Sequence, residues 1–278
     1  MRSIWLVLAV VLSMCLRLVP TLATGLPFST DSWPLIRDCE ILLENPSSGI
    51  LDSGLFDGYN NRWPHSILFG AVASLVLGTR PLDSMRILIP ALNALSVLAV
   101  YLLVARHGIR EGSQISAVAL AAIPTLVVFT AGATKETLAH VLAYTLFLAA
   151  LTARGRAGAL SALLVSVSLA LCHHLTSLVA SLVLTLVVVM RILCRALGRG
   201  SGVPIGERAA ALSLPAAGLI HYALVGSRGL YVRLEEFSTI ASYYTAFAAF
   251  PPLIEIGQKR EFEGLSRRTR AILALSIS

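Results

Sequence analysis

The sequence predicts an all-α, polytopic transmembrane helical bundle, and three observations carry that prediction. The chain is 56% hydrophobic and only 13% charged, against roughly 25% charged in an average soluble domain. Its mean hydropathy is +0.79. Its apolar residues are gathered into runs near the 20 or so that cross a bilayer as a helix. A soluble globular enzyme, a disordered chain, a collagen and a disulfide scaffold are all excluded by this composition. The net charge is +7, almost all from Arg. Basic loops that set topology and meet anionic lipid account for it, so no nucleic-acid partner is expected. The four cysteines, Cys15, Cys39, Cys172 and Cys194, match no zinc or redox spacing.

The first run, residues 4–24, is apolar except for Arg17. A cleaved signal peptide competes with a span here, because Leu22-Ala23 resembles a cleavage site. The length is sufficient to cross. Further spans are expected over 84–105, 113–133, 136–153, 157–172, 175–193 and 209–226, giving seven in one transmembrane domain over 1–278. The run 65–78 is short for a span and suits an interfacial or re-entrant segment. With 65–78 not crossing and the N-terminus cytoplasmic, nine basic residues fall inside and seven outside. If it crosses, the count is six inside against ten outside. The positive-inside rule favours the first arrangement, a multi-pass protein of the cell membrane with an outer tail over 227–278. No internal repeat is evident.

This arrangement sets three polar features on the outer face: the segment 25–83, the turn Thr134-Lys135-Glu136, and the turn Cys172-His173-His174. In the first, Thr30 or Asp31 can cap a helix with Pro34 in its first turn, running to about Glu44. Arg37, Asp38 and Glu40 lie along it. A second cluster reads Asp57-Gly58-Tyr59-Asn60-Asn61-Arg62-Trp63-Pro64-His65. Its amides and Arg62 can hold a phosphate or sugar hydroxyls, and Trp63 suits an interfacial anchor. A solvated loop of turn residues is the plainer reading of the same stretch.

Arg17 is a charge inside a span. It serves either as a counter-charge for a lipid phosphate or as a side chain reaching back to the outer interface. Thr134 can cap the helix opened by Lys135-Glu136, and Glu136 favours that helix's dipole. The same pair can also supply a phosphate contact and an acid or metal ligand. The His173–His174 pair turns the chain between two spans. His221 is expected to face the core.

In order and sidedness, these motifs resemble the GT-C membrane glycosyltransferases, which include protein O-mannosyltransferases, the aminoarabinose transferase of lipid A and the catalytic subunit of oligosaccharyltransferase. The stretches that carry the resemblance are Thr30-Asp31-Ser32-Trp33-Pro34, Phe56-Asp57-Gly58-Tyr59-Asn60, Thr134-Lys135-Glu136 and His173-His174-Leu175-Thr176, and they are most similar to archaeal members. The resemblance covers roughly residues 1–200. It implies a GT-C bundle with interfacial helices in the first outer loop, and an inverting transfer of sugar from a polyprenyl-phosphate or polyprenyl-diphosphate carrier to a lipid, glycan or protein outside the membrane. Asp31 and Glu136 are then the catalytic carboxylates. Arg17, Arg37, Asp57, Tyr59, Asn60, Arg62, Lys135, His173 and His174 contact substrate. Where a divalent cation such as Mg²⁺ or Mn²⁺ is used, Asp31 and Glu136 hold it, with a His as the third ligand. Members of the family are usually longer, and the final Ala271–Ser278 stretch looks like the start of another span, so a short or C-terminally truncated form is expected. The Trp-Trp-Asp-Tyr-Gly motif of oligosaccharyltransferases is absent, which argues against an asparagine-directed enzyme. A transporter or permease and a non-catalytic scaffold are the alternatives.

Overall fold

The computed structural model describes residues 2–52, 54–56, 60–106, 110–152, 155–197 and 203–225. The described chain is helical throughout, with no strand. Asp57, Tyr59, Arg154 and the expected tail from 227 onward lie outside the described residues.

Four helical segments are long and apolar enough to cross a membrane: Ile4–Thr24, Pro81–Arg106, Gly155–Cys172 and His174–Ala196. The first lies within helix α1 (Arg2–Thr24). Next come α2 (Ser32–Glu44), a single 3-10 turn over Asn60–Arg62, and α3 (His65–Leu77). At 13 residues, α3 is too short to cross, as its sequence predicts. Gly78 ends it in the left-handed conformation, φ 62°, where glycine meets no Cβ penalty. The chain then reverses into α4 (Pro81–Ala94), and Ser74 and Ser84 meet across this hairpin at 2.7 Å. Helix α5 (Ser96–Arg106) continues α4 to complete the Pro81–Arg106 span.

The span expected over 113–133 is broken. Helix α6 (Arg110–Ala122) and α7 (Pro124–Thr130) meet at a 58° bend. Pro124 is the cause: it has no N–H to give the preceding turn, and its ring clashes with the carbonyl four residues back. Counted as one span, this pair brings the total to five. The spans expected over 136–153 and 209–226 coincide with helices α8 (Lys135–Thr152) and α11 (Ile205–Leu224), but neither is among the segments apolar enough to cross, so the expected seven spans become four or five among the described residues. Both are long, but each carries two charged residues near its start, Lys135 with Glu136 and Glu207 with Arg208. Neither therefore belongs to the strongly apolar set. Between them lie α9 (Gly155–Cys172) and α10 (His174–Ala196).

Two apolar clusters hold the bundle together. One gathers side chains from α2, α3, α4 and α8 to α11, centred on Met85, Leu146, Phe147, Leu169 and Leu184. The other joins α1, α5 and α6 through Ala9, Val97, Val100 and Ala117. Helix α8 touches both, since Phe147 lies in the first and Tyr144 packs on the second. This double burial explains why α8 shows little amphipathic pattern despite its polar start. Towards the end of α10, Arg191 pairs with Glu207 of α11 at 2.8 Å, and both side chains are buried.

Candidate functional site

Three segments that sequence reading sets on one face do come together. They are the 3-10 turn with Trp63, the start of α8, and the junction of α9 with α10. The start of α8 is fixed locally. Thr134 Oγ1 accepts the Thr137 N–H at 3.1 Å, the N-cap expected from sequence. Behind it, Gly132 leaves no room for a side chain: a Cβ there would stand 2.6 Å from Ser29 Cβ. The Ala133 N–H donates to Ser32 Oγ at 3.0 Å. The Asp31 loop therefore lies against the turn that opens α8.

Lys135 is buried and donates from Nζ to Asn60 Oδ1 at 2.7 Å. Its neighbour Glu136 accepts from His173 Nε2 at 3.0 Å. The tautomer follows from the other ring nitrogen. His173 caps α10, and its Nδ1 faces the Thr176 hydroxyl at 2.8 Å and the Thr176 N–H at 3.4 Å. A nitrogen that accepts an N–H carries no proton, so the proton sits on Nε2 and points at the carboxylate. The imidazole is 6% exposed and Glu136 26%, which makes Glu136 the open member of the pair. Cys172 donates its thiol to the Lys135 carbonyl at 3.5 Å and meets Ser66 Oγ at 3.6 Å. This thiol ties α8, α9 and α3 together.

Trp63 departs from its expected role as an interfacial anchor. It is 3% exposed, with His174 and His221 packed against it at ring-centroid distances of 4.9 and 4.8 Å. Burial among these rings hides more apolar area than an interfacial seat would. His221 donates from Nε2 to the Arg62 carbonyl at 2.7 Å, so the inward-facing histidine has a defined partner. Sequence reading gave it none, because the contact spans 159 residues. Two buried atoms of the cluster, Asn61 Oδ1 and His174 Nδ1, make no hydrogen bond. Buried polar atoms are usually paired, and these two are exceptions within the cluster.

Asp31 occupies the N-cap position of α2, but its side chain makes no capping bond, and the residue is exposed. Arg37 is also exposed, six residues further along α2. Among the described residues, no three His, Cys, Asp or Glu side chains gather closely enough to hold a metal.

Arg17 is 1% exposed and does not reach the surface. It donates from Nε to Thr130 Oγ1 at 2.9 Å and Asn93 Oδ1 at 3.2 Å, and from Nη1 to Ser13 Oγ at 2.7 Å and the Ala121 carbonyl at 3.4 Å. That carbonyl lies at the Pro124 break, where helical bonding is interrupted. Asn93 in turn donates to the Thr137 carbonyl at 2.9 Å. Arg17 thus braces the broken span and, through Asn93, the first turn of α8. Asn93 lies about 18 Å along α4 from its start, so the first turn of α8 meets α4 near that helix's last turn. From this level α5 and α8 run on together to Arg106 and Thr152 at the far end. The chain matches no protein-family model and no curated protein sequence.

Proposed function

We propose that this membrane protein is a glycosyltransferase that takes a sugar from a polyprenyl-phosphate or polyprenyl-diphosphate carrier and transfers it on the extracytoplasmic side. The supporting observation is the meeting of Glu136, His173 and Lys135 at the end of the bundle to which the Asp31 loop also returns. Sugar transfer from a lipid phosphate needs a carboxylate near the attacking hydroxyl and cations near the leaving phosphate. Glu136 and Asp31 supply the first, and Lys135 with Arg62 the second. The α8 N-terminus adds the positive end of its dipole at the same place. Should the reaction use Mg²⁺ or Mn²⁺, Asp31 and Glu136 are the oxygen ligands at hand. The acceptor is a lipid, glycan or protein hydroxyl. The fold in this reading is of the GT-C type.

The experiment is transfer of labelled sugar from a polyprenyl-phosphate donor by the purified protein in nanodiscs, wild type beside Asp31→Asn and Glu136→Gln. Activity in the wild type, reduced by either change, supports the reading; no transfer from any donor refutes it. One observation favours a second reading. The broken α6–α7 span, with the buried Arg17 at its break, resembles the discontinuous helices of transporters. Substrate uptake by proteoliposomes, abolished by Arg17→Gln, would select that reading instead.

A further inference from the structure

We infer that Glu136, rather than Asp31, takes the proton from the attacking hydroxyl, and that His173 is the residue that positions it. This deepens the sugar-transfer reading and rests on it.

A general base works when its reactive oxygen is held in place, and enzymes commonly secure this with a third group behind the base. Glu136 has such a group. His173 is locked from both sides, by Thr176 at Nδ1 and by the Glu136 carboxylate at Nε2. Exposure then divides the roles. The imidazole is 6% exposed and the carboxylate 26% exposed, so of the two it is Glu136 that a substrate hydroxyl can reach. His173 therefore acts through Glu136. Asp31 lacks a comparable brace: it is exposed, and its side chain makes no bond to the helix it precedes. Its loop is fixed by Ser29 and Ser32, not by Asp31 itself.

In the reaction, the acceptor oxygen forms a bond to the anomeric carbon. The bond from that carbon to the carrier's phosphate oxygen breaks, and its electron pair leaves on the phosphate. The acceptor's proton passes to Glu136, then to water when product departs.

The test separates positioning from folding because His173 has two jobs. As the cap of α10 it accepts the Thr176 N–H, and Asn does this as well as any residue. Asn is too short to reach Glu136. In nanodiscs loaded with radiolabelled polyprenyl-phosphate hexose, release of hexose to water or to an alkyl glycoside is followed for wild type, His173→Asn, Glu136→Gln, the double variant and Asp31→Asn. Glu136→Gln is expected to lower kcat by about 10² to 10⁴. His173→Asn is expected to lower kcat by up to about 10² with KM unchanged. The double variant is expected to be no slower than Glu136→Gln alone, since the two residues act as one unit. Losses that multiply in the double variant, or Asp31→Asn abolishing transfer while Glu136→Gln retains it, would overturn the inference and leave the transferase reading standing. A wild type that releases nothing from any hexose donor removes the transferase reading, and the inference with it.

Discussion

Replacing Arg17 by Met tests whether the buried guanidinium is the brace of the broken span. Three of its hydrogen bonds are short, to Ser13 Oγ, Thr130 Oγ1 and Asn93 Oδ1, and the bond to the Ala121 carbonyl is longer. Met fills a similar volume and donates nothing. The Thr130 hydroxyl keeps its bond to the Leu126 carbonyl, but Asn93 Oδ1 and the Ala121 carbonyl each lose a donor. Leaving a buried acceptor unpaired costs about 1 to 3 kcal/mol in a protein interior. Interhelical bonds measured in membranes average only about 0.6 kcal/mol. Relief of a buried charge acts in the opposite direction. The two orphaned acceptors outweigh that relief if Pro124 prevents α6 from supplying another donor, so a net loss of about 1 to 3 kcal/mol is expected. Unfolding by SDS in mixed micelles, followed by tryptophan fluorescence, measures it. Adding Asn93→Leu removes one orphan, and the double variant should regain about 1 kcal/mol over the sum of the single losses. Wild-type stability in Arg17→Met, or simple addition in the double variant, would refute the brace.

Other expectations can be checked alongside. Glu207→Gln removes the carboxylate charge that faces the buried Arg191 and should lower stability by up to about 3 to 5 kcal/mol, readable in the same SDS titration; the exchange Arg191→Glu with Glu207→Arg should recover part of it. Gly132→Ala should disturb the protein more than Gly70→Ala. The new Cβ at 132 meets Ser29 Cβ at 2.6 Å, beside the backbone, whereas at 70 it meets the flexible end of Met85; melting temperatures of the two variants compare them. Burial, with Glu40 adding to it, pushes the Cys39 thiol up to about 12. The folded thiol therefore stays protonated at pH 8 to 9, where an unfolded one begins to ionise. Cys39 should resist maleimide across that range and react once the protein is unfolded, as mass spectrometry of labelled peptides would show. The same shift should make the folded state less favoured as pH rises above the ordinary thiol value.

Much of the site was legible in the sequence because its local signals are strong. Thr134 ahead of Lys135-Glu136 reads as a cap, and a His pair between two apolar runs reads as a turn; both stand where expected. The pairing was not legible. Glu136 and His173 are 37 residues apart, and Lys135 and Asn60 are 75 apart. No periodicity encodes which polar group meets which across a bundle. Trp63 shows the limit most clearly: its neighbours in sequence suggest a membrane interface, while His174 and His221 enclose it.

The sequence by itself determined the class of molecule. A chain whose apolar residues gather in runs near 20 satisfies its backbone in a membrane with helices, and a run of 13 residues cannot cross where one of 23 can. It also determined where polar chemistry would gather, since charges are expelled from spans to the turns between them. Only the tertiary structure decided what those charges do. Arg17 is read from its neighbours as a lipid contact or a surface-seeking side chain, yet it is spent on a helix break that Pro124 creates in another span. A buried charge must find partners wherever packing offers them, and packing is a property of the whole bundle.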